Sequence, residues 1–290
     1  MSFYTIRRRA ALAGCLASLG ASPAQAAPIP MNLANGRCVV PVLLDGRPAR
    51  MVLDTGAERT VLTPGAVKRL GLRTDPWVDT TMRGAGGLLQ THPNADVSSA
   101  IIGGTRLFQR PSSPGLSLSV AKFDLGDADG LLGADVLRHY ALDLDFPRAQ
   151  LTLCPANRVM PQSGAVRLSP LRGDLLLVPM SLDGNSLLAL LDTGASMSLI
   201  NARGLHRLGL TPDRMEQDQA VPTMSLGGKL IAHLHRFAEL RVGPLTLTKL
   251  LVLTAAIPEL AFDLTLGLDV LSRQRLFLSY TDLALGFSSG

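Results

Sequence analysis

Aromatic residues are scarce in this chain: one Trp, three Tyr and eight Phe make up 4% of its 290 residues, and only 18% of residues are charged. Past Arg7-Arg8-Arg9 there is no run of Lys and Arg either. Nucleic-acid surfaces need a basic track, commonly with rings for bases to stack on, so that class has no support here. Cysteine is limited to Cys15, Cys38 and Cys154, too few and too far apart to build a metal centre on their own. No later stretch reaches the roughly 18 uninterrupted apolar residues that a membrane-spanning helix requires. Hydrophobic residues, by contrast, reach 47%. A chain of this length and composition can bury one large core or two smaller ones.

The first residues have a logic of their own. Arg7 to Arg9 precede an apolar run from Ala10 to Ala21, and Ala24-Gln25-Ala26 has the small-x-small pattern of a signal-peptidase site. Residues 1–26 are therefore expected to be a removed export signal, with the remainder periplasmic or secreted. Leu12-Ala13-Gly14-Cys15 has the form of a lipoprotein box, but the apolar approach to it is too short. Loss of the signal removes three arginines and no acids, taking the formal charge from +5 to +2. Cys38 and Cys154 are then the remaining pair; both sit at strand ends of one half, which makes them a disulfide candidate.

The chain repeats itself. Val40-Pro41-Val42-Leu43-Leu44-Asp45-Gly46, Leu53-Asp54-Thr55-Gly56-Ala57 and Leu70-Gly71-Leu72 recur as Val178-Pro179-Met180-Ser181-Leu182-Asp183-Gly184, Leu191-Asp192-Thr193-Gly194-Ala195 and Leu208-Gly209-Leu210, at a constant offset of 138 residues. A matching tail follows in each, Leu131-Leu132-Gly133-Ala134-Asp135-Val136-Leu137 and Thr265-Leu266-Gly267-Leu268-Asp269-Val270-Leu271. Asp-Gly between apolar runs predicts hairpin turns, and alternating apolar residues at strand length predict a mostly β protein. Short helices are expected at Pro64 to Leu70, at Ala202 to Leu208 and around Asp135 to His139 and Asp269 to Arg273. The organisation expected is a first lobe over 27–156, a Pro- and Gly-containing linker over 157–170 and a second lobe over 171–290.

Each Asp of Asp-Thr-Gly directly follows apolar residues, which puts a carboxylate at the buried end of a strand, where a lone charge is costly. Two like lobes packed about a pseudo-twofold axis would bring Asp54 and Asp192 together. Carboxylates that close share a proton, so one can act as base and the other as acid toward a bound water. Gly56 and Gly194 permit close backbone approach, and the hydroxyls of Thr55 and Thr193 can bridge to the opposite loop. Other motifs carry less. His233 and His235 share one strand face with no acidic or Cys cluster beside them and read as exposed strand polarity. Asp127-Ala128-Asp129-Gly130 lacks the acidic ladder of a calcium loop and reads as a turn.

At these residues the chain resembles the retropepsin-like branch of the aspartic peptidases, whose motif is apolar-apolar-Asp-Thr-Gly-Ala followed later by apolar-apolar-Gly. The likeness covers roughly residues 36 to 290, with Thr265 departing from the apolar pattern of the second tail. It implies an aspartic (acid) protease fold of two pseudo-twofold-related, closed β-barrel-like lobes with Asp54 and Asp192 catalytic and Thr55, Gly56, Ala57, Thr193, Gly194 and Ala195 supporting them. It further implies an endopeptidase with no metal and no cofactor, binding an extended peptide in the inter-lobe cleft and sufficient as a monomer. Glycine-rich hairpin tips would serve as flaps, at Gly84, Ala85 and Gly86 in the first copy and Leu226, Gly227 and Gly228 in the second. Ala57 and Ala195 lack the hydroxyl that pepsin-like enzymes carry there, which implies a less acidic working range. The competing reading is a non-catalytic periplasmic binding or assembly protein that retains the fold.

Overall fold

The computed structural model describes residues 27–83, 89–109, 116–121, 125–158, 164–225, 228–257 and 260–288. Their hairpins begin as the sequence leads one to expect. Asp45 and Gly46 take φ of 47° and 75°, Asp183 and Gly184 take 48° and 79°, the left-handed pair that a two-residue hairpin turn demands. These turns join Val39–Leu44 to Arg47–Leu53 and Leu176–Leu182 to Asn185–Leu191. Each turn Asp also ties its hairpin to a neighbouring strand. Asp45 Oδ1 accepts from the N–H of Ser98 and Ser99, and Asp183 Oδ1 from that of Glu239.

Each second arm then acquires a parallel neighbour from the tail of its own copy. Gly130–Leu132 pairs with Met51 to Leu53, and Leu264–Leu266 pairs with Ala189 to Leu191, in equivalent register. Both tail strands are also antiparallel to the short strand after Asp-Thr-Gly, Val61–Leu62 or Leu199–Ile200. The result is a nine-stranded sheet in the first lobe and an eight-stranded sheet in the second. Helices stay short because caps stop and start them. Thr63 Oγ1 accepts from Ala66 N–H at the head of Pro64–Arg69, and Asn201 Oδ1 from Gly204 N–H at the head of Ala202–Leu208. The tails form Ala134–Leu137 and Leu268–Leu271 as expected, and Pro212–Met215 is a further helix that the periodicity did not indicate.

A third, six-stranded sheet joins the lobes. Its order is Ile29–Pro30, Gln150–Pro155, Tyr140–Asp145, Arg275–Ser279, Ala284–Ser288, Val166–Arg167, so each copy supplies three strands and the pseudo-twofold axis runs between the central two. Val166–Arg167 and Ser169–Pro170 lie inside the stretch that composition marks as a connector, yet both are strands. Leu142, Leu144, Leu276 and Leu278 face the common core, while Asp143 and Arg275 alternate to the other face. There Arg275 donates to both oxygens of Asp143, at 2.8 and 2.7 Å, and stacks 5.0 Å over the Phe277 ring. Asp143 is only 3% exposed, so its charge depends on that fork. Breaking a fully buried pair costs about 3–5 kcal/mol, and the partial exposure of Arg275 reduces this to about 2 kcal/mol. Asp143→Ala is accordingly expected to lower the free energy of urea unfolding by about that amount; an unchanged midpoint would show that the fork does not hold the lobes together.

The fold also removes the candidate disulfide. Cys38 enters the core of the first lobe, its Sγ 3.3 Å from Met31 Sδ, with burial pushing the thiol pKa up to about 12. Cys154 projects from the opposite face of the six-stranded sheet, beside Ala141 and Phe277, and accepts a hydrogen bond from Arg158 Nη1 at 2.9 Å. Both are free thiols. The two thiols belong to different layers, Cys38 to the core and Cys154 to the far face of the six-stranded sheet.

Candidate active site

The two Asp-Thr-Gly loops meet at the pseudo-twofold axis and interlock. Thr55 N–H donates to Thr193 Oγ1 and Thr193 N–H to Thr55 Oγ1, both at 3.1 Å. The hydroxyls in turn donate across the axis, Thr55 to Leu191 O at 2.8 Å and Thr193 to Leu53 O at 2.7 Å. All four bonds are buried, and each Thr uses its donor and its acceptor capacity. Neither loop can shift without breaking bonds to the other.

That frame fixes the carboxylates. Asp54 N–H bonds Leu132 O and Asp192 N–H bonds Leu266 O, locking each Asp to its tail strand. Gly56 N–H donates to Asp54 Oδ1 at 2.9 Å, while Gly194 and Ala195 N–H donate to Asp192 Oδ1 at 2.9 and 3.0 Å. Each carboxyl sits against the glycine of the opposite loop, Asp192 over Gly56 and Asp54 over Gly194. Burial and then the charge of Asp192 hold Asp54 well above the usual carboxylate range, against the pull of the Gly56 and Ala57 N–H groups. Burial also raises Asp192, offset by Gly194, Asp54 and Ala195. The pair therefore keeps one proton at pH values where isolated carboxyls have lost theirs.

Behind each loop stands a buttress whose two halves are far apart in the sequence. Asp135 Oδ1 accepts from the N–H and the hydroxyl of Thr60, at 2.9 and 2.7 Å, and Thr60 Oγ1 accepts from Gly133 N–H at 3.0 Å. Asp269, Ser198 and Gly267 repeat this at 2.9, 2.7 and 3.0 Å. The signal was in the duplicated tails, where an acid follows each Gly by two residues, but its partner hydroxyl lies about 70 residues upstream and only folding pairs them.

A family model described as Aspartyl protease matches twice, over residues 40–136 and 178–270, each match holding one Asp-Thr-Gly loop and one tail. The chain belongs to the aspartyl protease family. Its fold is that of the two-lobed aspartic proteinases: the crystal structure of aspartic proteinase from Irpex lacteus superposes with a TM-score of 0.56, covering 91% of this chain and 97% of that one at 13% identity. Comparison with curated proteins finds no match.

In this aspartyl protease the flap candidates are only partly described. The first hairpin, Thr74–Arg83 with Leu89–Val97, is present up to the pair Arg83 and Leu89, and Gly84, Ala85 and Gly86 lie outside the described residues. The second, Gln219–Ser225 with Gly228–Val242, closes with Ser225 paired to Gly228, while Leu226 and Gly227 lie outside. His235 is not exposed polarity: its Nδ1 lies 2.6 Å from Asp218 Oδ2 with both side chains largely covered. Nor is Asp129 merely a turn residue. It accepts from Arg50 N–H at 2.8 Å and pairs with Arg69, and in the second copy Asp263 accepts from Leu188 N–H and pairs with Arg207 and Arg203. These acids pin each short helix to the strand that leads into the Asp-Thr-Gly loop. The carbonyls of Ala57 and Ala195 accept from Ala134 and Leu268 N–H.

Proposed function

We propose that this aspartyl protease is an exported endopeptidase in which Asp54 and Asp192 hydrolyse peptide bonds through an activated water. The observation that carries the reading is a pair of buried carboxyls, each seated on the glycine of the opposite loop, at the junction of two interlocked, equivalent loops. With one proton between them, the ionised member accepts a proton from the water as it attacks the peptide carbonyl, and the protonated member donates toward the developing oxyanion. The same pair then returns the proton to the leaving amine. The interlocked Thr bonds supply the positional constraint that such a step requires.

The substrate class follows from the surroundings. Met197 and Leu199, just past Asp192, and Val221, Leu230 and Leu234 on the second hairpin are partly exposed around a buried set of Ala232, Leu253 and Ala255. Such a wall favours apolar side chains, and two hairpins beside the loops favour an extended peptide bound by strand-like hydrogen bonds between the lobes. Both loops come from one chain, so a monomer suffices.

Purified mature chain is expected to cleave members of a mixed peptide library and to lose that activity to pepstatin; absence of cleavage with the fold intact would leave the binding-protein reading in its place. Because burial raises both carboxyls and the charge of Asp192 raises Asp54 further, the shared proton persists above the usual carboxylate range, and the pH–rate profile is expected to peak in weak acid. A maximum well below pH 4 would contradict this.

A further inference from the structure

Two lobes built from one plan invite a comparison of equivalent residues, and one difference lies in the six-stranded sheet that joins them. Tyr280 follows Arg275–Ser279 at the start of the turn into Ala284–Ser288; Phe146 follows Tyr140–Asp145 at the start of the turn into Gln150–Pro155. The turns agree in detail. Arg148 N–H bonds Asp145 Oδ1 and Asp282 N–H bonds Ser279 Oγ, each at 3.0 Å, and Ala149 and Leu283 take φ of 52° and 49°. Phe146 shows that the turn itself requires only a ring.

Tyr280 adds a hydroxyl, and that oxygen is turned inward: it is buried and has no hydrogen-bond partner among the described residues, although the residue as a whole is partly exposed. Buried hydroxyls are almost always satisfied, by ordered water where no protein group serves. The ring packs against a cluster containing Ala134 and Leu190. Ala134 is tied to the Asp54 loop through its N–H to Ala57 O, and Leu190 stands two residues before Asp192. The charges that act on the phenol are those of Asp54 and Asp174, the latter paired with Arg138 at 2.9 Å. Burial first, then those two charges, hold the phenol above its ordinary pKa, so it is un-ionised and free to donate throughout the physiological range.

We propose that Tyr280 is a positioning residue for Asp54, its hydroxyl donating through a buried water toward the Asp54 side of the pair, so that the two halves of a duplicated site are electrostatically unequal. This rests on the reading of Asp54 and Asp192 as the reacting pair. A donor favours the ionised form, so its loss lets the pair keep its proton to higher pH.

Tyr280→Phe places in the second copy the ring that the first already tolerates. The melting temperatures of the wild type and Asp54→Asn, compared across pH 4 to 9, give the pH at which the pair releases its proton without any need for turnover; the same comparison is made in the Tyr280→Phe background, alongside kcat and KM on a cleaved peptide. The expected result is a midpoint and an alkaline limb of kcat/KM both moved upward by about half a pH unit, with KM unchanged. A midpoint that stays in place in a folded variant overturns the proposal, since a purely structural ring would give that outcome. A midpoint that moves in a protein that cleaves nothing supports the link from Tyr280 to Asp54 and sinks the peptidase reading instead.

Discussion

Asp54→Asn and Asp192→Asn should each reduce kcat/KM by about 10,000-fold or more, because an amide fills the space of the carboxyl but can neither accept the proton of the water nor pass one on. The neighbouring bonds survive the change: an Asn oxygen at position 192 still accepts from Gly194 and Ala195 N–H, and the Thr bonds do not involve the carboxyls. Stability should move the other way. Both carboxyls titrate above their ordinary values, so the folded protein retains a proton that the unfolded chain gives up. Stability tied to that proton is fully present below about pH 4 and is lost as pH rises through the folded-state value. Asn needs no proton. The melting temperature of each variant should therefore exceed that of the wild type near neutral pH and approach it in acid. A wild-type rate in either variant would end the mechanism, whereas a parallel offset at every pH would end the electrostatic account of the pair.

The second large effect is steric. A Cβ built on Gly56 falls 2.6 Å from Asp192 Oδ1, and one built on Gly194 falls 2.6 Å from Asp54 Oδ1, so each glycine of one lobe is the seat of the carboxyl of the other. Both distances are well inside van der Waals contact. Gly56→Ala or Gly194→Ala must therefore displace the opposite carboxyl, and a displacement near 1 Å costs about 100-fold in rate. Gly65→Ala, in the helix Pro64–Arg69, meets only Thr63 Oγ1 at 3.9 Å and should be neutral or slightly stabilising. Steady-state kinetics on the three variants, with circular dichroism as the check on folding, separates the cases. Equal rates in all three would show that the loops are looser than their bonds imply.

Much of this was legible in the residues because the chain states its plan twice. The doubled Asp-Gly turns, the doubled Asp-Thr-Gly-Ala and the doubled tails each encode a local geometry, and local geometry depends on φ, capping and the alternation of side chains. Tyr280 is legible in the same way, as a departure from Phe146. Other features were not. Thr60 and Asp135, or Ser198 and Asp269, are polar residues without a distinguishing spacing until the tail strand slides in parallel beside the first hairpin. Asp129 looks like a turn acid until Arg69 arrives from a helix. Cys38 and Cys154 look like partners until the fold buries one in the core and sets the other on the far face of the six-stranded sheet.

Two copies of one lobe, mostly β, each ending a buried strand in a carboxylate, follow from the residues alone, since periodicity, turn chemistry and repetition are properties of near neighbours in the chain. That each carboxyl sits against the opposite loop, that each Thr reaches across the axis and that both cysteines stay free follow only from the folded arrangement. Those outcomes depend on the distance and facing of groups more than a hundred residues apart, which are set by how two sheets and a shared six-stranded floor pack around the axis.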